Sequence, residues 1–222
     1  MKIAVVIPTL DEAERVVGAI ESAAALGVDV VVADGGSSDD TRTRAAAAGA
    51  RVVDSEVGRA RQLARGVRET RSGAILFLHA DTRLPVGFDA AVRTCLEDPG
   101  VVGGAFRFRF DDRSFSLRLI EWGARLRVAL TNLPYGDQAI FVRRSALEQI
   151  GGVPQVPLME DLDLVKALRR RGRVAILPLH ATTSARRFRR AGILRTALKH
   201  RLVAVAATLG VDRERLAAWV RR

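Results

Sequence analysis

The sequence holds a single cysteine, Cys95, so no disulfide can form within the chain, and a reducing compartment is the expected setting. No nucleophile motif surrounds Cys95, which reads as a packed or incidental thiol. Aromatic residues make up only 5% of the chain. The basic residues therefore lack the stacking platform of a single-strand nucleic-acid binder, and no nucleic-acid partner is expected. Long apolar runs are missing too. The longest near the C-terminus, Leu202 to Val211, spans ten residues, about half of the roughly 20 that a bilayer span requires. The opening run Ile3 to Pro8 is too short for a secretory signal and reads as a first strand. A cytoplasmic chain without a transmembrane helix is the expectation.

What is present is enough sequence for one sizeable core: 222 residues with no low-complexity linker and no internal repeat. The net charge is +11, and its location matters more than its size. Residues 186–222 carry eleven Lys and Arg against Asp212 and Glu214, a local net of +9, which leaves +2 for the preceding 185 residues. A near-neutral body, residues 1–185, is thus followed by a basic helical tail, residues 186–222, expected to pack on the same domain. In the tail, apolar and basic residues alternate at helical spacing from Ile193 to Leu202. Such a helix either packs its apolar side on the body or lies on an anionic membrane surface, which would make the protein peripheral at the inner face of the membrane.

Short β-branched runs alternate with amphipathic segments of helix length, the pattern of right-handed βαβ units and a mostly parallel sheet flanked by helices. Strands are predicted near 2–7, 28–33, 50–54, 74–79, 101–109, 138–143 and 173–177. Helices are predicted near 11–26, 39–48, 58–70, 87–97, 114–130 and 161–171, with a helical tail from about 192. Ligands of such sheets bind at the carboxyl ends of the strands, so the loops at Pro8, Asp34, Asp54 and Asp81 should converge on one crevice. Trp122 and Trp219 fall at helical spacing with Leu119, Leu126 and Leu216 and are expected in the core.

Three strand-end motifs carry chemistry. Val30 to Thr41 is a buried-looking strand ending in Asp34, Gly35, Gly36 and small polar residues. The glycines let backbone approach a ligand, and Asp34 can accept hydrogen bonds from a base or ribose. Ser38 or Asp39 should also cap the next helix. In Phe77 to Thr82 an apolar strand leads into His79 and Asp81, two positions apart and so on one side of an extended chain. Mg²⁺ or Mn²⁺ takes one or two carboxylates plus substrate phosphates, which suits Asp81, while His79 reads as a ligand, a diphosphate contact or an orienting group. In Met159 to Leu164, Glu160, Asp161 and Asp163 surround a helix start, where acids also favour the macrodipole. Arg59, at the start of the helix after Asp54, can reach phosphate, whereas Arg65 is expected in solvent. Gly136, Asp137 and Gln138 read either as a contact to acceptor or donor sugar or as a turn.

Val5 to Glu12, Asp34 to Asp39, His79-Ala80-Asp81 and Glu160-Asp161, in this order, resemble inverting glycosyltransferases of family 2. A narrower resemblance is carried by Gly58 to Gln62, Phe77 to Pro85 and Gly136-Asp137-Gln138. It is to short bacterial members assigned to arsenosugar biosynthesis or associated with radical-SAM and selenium genes. The resemblance implies a GT-A fold, a nucleotide-diphosphate sugar donor of UDP or GDP type and a divalent metal. It places Pro8 and Glu12 beside the nucleotide, Asp34 at its base, Asp81 as the final Asp of a D-x-D motif and Asp161 as the catalytic base beside Glu160. His79 stands where the first Asp of D-x-D would be. The Q-x-x-R-W signature of processive synthases appears only as Ser184 to Phe188, which implies transfer of one sugar, with Arg187 as a diphosphate contact. Two other readings stay open: a nucleotidyltransferase, which would lack its glycine-rich basic loop here, and a nucleotide-sugar-binding or membrane-associated protein without catalysis.

Overall fold

The computed structural model describes residues 1–208 and 210–221, without the side chains of residues 187, 190, 191, 194, 195, 197, 200, 201, 208, 220 and 221. The first half alternates strands and helices: β1 (Ile3–Thr9), α1 (Val16–Ala23), β2 (Val28–Asp34), α2 (Thr41–Ala47), β3 (Arg51–Asp54), α3 (Arg59–Arg68) and β4 (Ala74–Phe77). There follow β5 (Thr82–Arg83), α4 (Phe88–Cys95), β6 (Val101–Phe110), α5 (Phe115–Thr131), β7 (Phe141–Arg143), α6 (Arg144–Gln149), α7 (Glu160–Arg169) and β8 (Arg173–Thr183). The tail forms α8 (Arg186–Ala191), α9 (Ile193–Thr208) and α10 (Arg213–Arg221).

All strands join one sheet in the order β3-β2-β1-β4-β7-β6-β8-β5. Only β5 and β7 run against the others, because each meets its neighbours in antiparallel pairing while the remaining pairs are parallel. β1 is buried on both faces, as its unbroken apolar run requires. Ile3, Val5 and Ile7 pack with Val16, Ile20, Phe88 and Val92 of α1 and α4. Ala4 and Val6, on the opposite side of the pleat, pack with Leu63, Leu147, Leu164 and Leu168 of α3, α6 and α7. A third cluster of Phe108, Phe110, Leu117 and Ala185 receives Phe188 and Ile193 and so pins the start of the tail to the body. Arg213 of α10 adds a two-oxygen contact to Asp163 at 2.9 and 3.1 Å.

Several departures from the sequence pattern have local causes. α1 begins at Val16 rather than near residue 11, because residues 10–15 are stapled to the turn after β2. Asp11 N donates to Ser37 Oγ at 2.9 Å, Glu12 N to Thr41 Oγ1 at 2.8 Å and Ala13 N to Asp39 Oδ2 at 3.1 Å. β8 continues past Pro178 to Thr183 through an irregularity in its ladder: Phe106 pairs with Leu177 but Arg107 pairs with His180. A proline at such a slip costs no ladder bond, and it makes the strand look finished at Leu177. β5 is two residues long and offers no period to read.

Trp122 and Trp219 are not core residues. They are 60% and 47% exposed, and Leu119 and Leu126 share the outward face of α5 with Trp122. The spacing grouped these side chains correctly on one face, but the opposite face, with Leu117 and Val128, is the buried one.

Candidate active site

The tips of β1 and β4 and the start of α3 enclose a cleft of about 190 Å³ lined by Pro8, Glu12, Arg59, Gln62, His79 and Asp81, among others. Although β4 ends at Phe77, Leu78 N still donates to Val6 O at 3.0 Å. The chain then turns, with Thr82 N donating to His79 O at 3.1 Å, so His79 and Asp81 do not share one side of an extended strand as expected, yet both line the cleft. A larger cavity of about 550 Å³ adjoins it at Ala80 and Asp81, on the α1 side, and is lined by Arg15, Arg83, Arg109 and Arg113.

Asp34 lies beneath the cleft lining, fully buried. Its carboxylate accepts from Gly36 N at 3.0 Å, Ser37 N at 2.8 Å, Ser37 Oγ at 2.6 Å and Thr9 Oγ1 at 2.9 Å. Burial alone would raise its pKa, but these bonds outweigh burial and hold it below the ordinary value. Gly35 has a packing role: a Cβ there would lie 3.0 Å from Gln62 Nε2. The Gln62 amide spans the two strand ends, donating to Thr9 O at 2.6 Å and Ala33 O at 3.1 Å. Gln62 and Thr9 lie inside the motifs Gly58 to Gln62 and Val5 to Glu12, which assign them no role of their own; both line the cleft. The N-cap position of α2 is Asp40, not Ser38 or Asp39 as expected; Asp39, one residue before it, accepts the N–H of Thr41 at 3.0 Å.

On the other side of the cleft, α7 opens with Met159 at φ 62° and delivers Glu160 and Asp161, both buried. Ala139, just after the 136–138 turn, sits at φ 48°. Left-handed backbone at non-glycine residues costs about 1–3 kcal/mol each and gathers at functional sites. Asp161 is held by both oxygens, Oδ1 accepting from Leu162 N at 2.9 Å and Oδ2 from Gly136 N at 2.6 Å. Arg59 binds Glu160 through Nε and stands 3.4 Å from Asp161 Oδ2. Burial would lower the Arg59 pKa, but Glu160 and Asp161 together keep it above its usual value. Burial, opposed by Arg59 and assisted by Asp161, raises that of Glu160.

Gly136 is the point at which these groups meet. A Cβ on it would lie 2.8 Å from His79 Nε2, 2.9 Å from Arg59 Nη2 and 3.1 Å from Asp161 Oδ2. The candidate metal, phosphate and base residues from three separate motifs therefore surround one glycine backbone. Its neighbour Asp137 differs from every other acid here, because its Oδ1 is buried and has no hydrogen-bond partner. Its pKa is raised to about 6 by burial and by Asp161 and Asp81, against the opposing charges of Arg127 and Arg59. Gln138 is structural, its amide donating to Phe106 O at 2.9 Å and its Oε1 accepting from Tyr135 N at 3.3 Å. Arg127 lies 3.5 Å above the Tyr135 ring and braces the same turn. The side chain of Arg187 lies outside the described residues.

No group of three or more metal-ligating side chains occurs among the described residues. One carboxylate at a strand tip suits an ion whose shell is completed by substrate oxygens and water. The crowding of Asp81, Asp137, Glu160 and Asp161, with a buried carboxylate oxygen left unpaired, provides an electrostatic place for added positive charge.

Fold and cleft together define the nucleotide-diphospho-sugar transferase scaffold, the GT-A fold. Residues 4–151, well over half of the sequence, match the family described as Glycosyl transferase family 2, and the chain belongs to that family. Glucosyl-3-phosphoglycerate synthase of Mycolicibacterium paratuberculosis (strain ATCC BAA-968 / K-10) is 38% identical over 93 residues. That match covers 36% of this chain and only 28% of the relative. The crystal structure of glucosyl-3-phosphoglycerate synthase from Mycobacterium tuberculosis with Mn²⁺, UDP and phosphoglyceric acid gives a TM-score of 0.67 at 21% identity. It is matched over 95% of this chain and 79% of its own. The same enzyme with Mn²⁺, UDP-glucose and phosphoglyceric acid gives 0.64 at 23% identity, over 82% and 71%. At these identities the likeness is one of fold.

Proposed function

We propose that the chain is an inverting glycosyltransferase that moves one sugar from a nucleotide-diphosphate sugar to an acceptor hydroxyl. The observation that carries this reading is the meeting of His79, Arg59 and Asp161 around Gly136, at the edge of the cleft lined by Asp81. In this reading Pro8, Glu12 and Gln62 line the nucleoside position, while Asp34 and Gly35 shape its floor. Asp81, with His79 beside it, holds Mg²⁺ or Mn²⁺, which would neutralise charge on the departing diphosphate. Asp161, oriented by Gly136 N and Leu162 N, takes the proton of the acceptor hydroxyl as that oxygen attacks from the face opposite the leaving group. Glu160 fixes Arg59 and leaves base chemistry to Asp161. The unpaired oxygen of Asp137 meets a hydroxyl of the acceptor or of the donor sugar.

UDP is the first donor nucleotide to try, since the crystal structures of the mycobacterial enzyme hold UDP or UDP-glucose with Mn²⁺, or UDP with Mg²⁺. The motifs at 58–62, 77–85 and 136–138 support placement in the bacterial subgroup linked to arsenosugar biosynthesis. Residues 186–222 are proposed to hold a cytoplasmic enzyme at the inner, anionic face of the membrane. No helix among the described residues is long and apolar enough to cross it.

Transfer and donor hydrolysis measured with Mn²⁺, with EDTA, and in Asp81→Ala and Asp161→Asn test the chemistry. Asp161→Asn is expected to lower kcat by about 10³-fold with the donor KM little changed. EDTA and Asp81→Ala should each abolish turnover. Activity indifferent to all three would overturn the mechanism.

A further inference from the structure

α5 has two apolar faces. Leu117 and Val128 point into the body, while Phe115, Leu119, Trp122, Leu126 and Leu130 form a stripe on the opposite side. Steps of four and three residues keep these five on one line of the helix. Phe115 is 84% exposed and Leu130 77%, so the described residues leave the stripe uncovered from end to end. A contiguous apolar patch of this kind on a globular protein marks a contact surface. α9, which packs beside α5, exposes Leu198, Leu202 and Val205 as well.

The charges around the stripe identify the occupant. Glu121 is the only acid on α5, and it is buried, accepting Phe110 N at 2.7 Å. Arg118 and Arg125 flank the stripe, and among the described residues neither has a carboxylate partner. The positive field is felt on β8, where burial, then Arg109, Arg125 and Arg107, hold His180 below its ordinary pKa. A second copy docking here about a two-fold axis would bring the same arginines toward their own counterparts, which repel. Anionic lipid headgroups neutralise those charges while the acyl region takes up the leucines, the phenylalanine and the tryptophan.

We propose that the outward face of α5, from Phe115 to Leu130, is a docking surface for an anionic lipid membrane, with the helix lying in the plane of the interface. This rests on the membrane reading of the basic tail and assigns the apolar anchor to an element outside it.

The test uses the full chain with vesicles of phosphatidylglycerol and phosphatidylcholine in equal parts, and with phosphatidylcholine alone. Trp219→Phe leaves Trp122 as the only tryptophan, and Trp122→Phe leaves Trp219. With anionic vesicles the Trp122 emission should shift to the blue, and with neutral ones it should not. Leu119→Ser with Leu126→Ser, and separately Arg118→Gln with Arg125→Gln, should each weaken partition by roughly tenfold or more. All four sites are exposed, and an unchanged thermal melt confirms that each variant folds.

A response from Trp219 with Trp122 silent would overturn the α5 assignment and leave the tail reading standing. Absence of partition in every arm would overturn both. Emission from Trp122 that is already blue without lipid, with a mass that doubles with concentration, would show a second copy on this face and overturn the proposal.

Discussion

Asp34, the last residue of β2, and Asp137, in the turn before β7, are carboxylates at the same crest of the sheet, and the chain treats them in opposite ways. Asp34 accepts four hydrogen bonds from its own turn and from Thr9, and its pKa lies below the ordinary value. Asp137 keeps a buried oxygen without a hydrogen-bond partner, and its pKa rises to about 6. Satisfied buried polar groups hold a fold together, whereas unsatisfied ones cost stability and persist where a ligand completes them. The 34–41 turn is thus satisfied within itself, whereas the 136–138 turn keeps an unpaired acceptor beside the residues to which the proposed chemistry is assigned.

The largest effect should come from removing the satisfied carboxylate. Asp34→Ala removes the acceptor of two backbone N–H groups and two hydroxyls, of which only the Thr9 hydroxyl is buried, and a loss of about 3 kcal/mol is expected in a urea melt. Asp34→Asn should retain part of that, having one acceptor oxygen instead of two. The wild-type contribution of Asp34 is present above the ordinary carboxylate range and is lost as pH falls below it, so the Asn variant should also blunt acid sensitivity below about pH 4. Stability near wild type in Asp34→Ala would break the comparison. Next in size is Gly136→Ala, which pushes a methyl group against His79, Arg59 and Asp161. It should cost about 10² in kcat with little change in melting temperature, because displacement by a fraction of an ångström is enough to spoil alignment.

Much of the first half was legible because the short apolar runs at Ile3 to Ile7, Val30 to Ala33 and Ala74 to Phe77 lead into turn motifs, and the parallel pairing of β1 with β2 and β4 agrees with the expected βαβ units. His79, Arg59 and Asp161 were nameable from motifs, but their meeting at Gly136 was not, since a glycine signals only permissive backbone until its neighbours are known. Pro178 hid the second half of β8, and the two residues of β5 carry no period. Trp122 shows the limit of periodicity: the spacing puts side chains on one face of a helix, and only the surrounding packing decides whether that face points inward. Asp34 adds what a motif cannot show, because an acid at a strand tip reads the same whether or not Thr9 and the following turn donate four hydrogen bonds to it.

Asp137→Asn sharpens the contrast with the smallest change. Below about pH 3 this carboxyl is neutral in both the folded and the unfolded chain and imposes no penalty. Between the ordinary value of 3.8 and the folded value of about 6, the unfolded chain releases the proton while the folded chain keeps it. Stability must then fall as pH rises through that window, and the penalty is constant above it. An amide in place of the carboxylate removes the charge, so the metal-free variant should be more stable than wild type by about 1–3 kcal/mol at pH 7.5 and no different at about pH 3. The same variant should turn over more slowly, because the amide NH₂ or C=O cannot accept from a substrate hydroxyl on both sides as a carboxylate can. A gain in stability with a loss of rate is the signature of a group kept for its ligand. A loss of both would place Asp137 with Asp34 among the residues that build the turn.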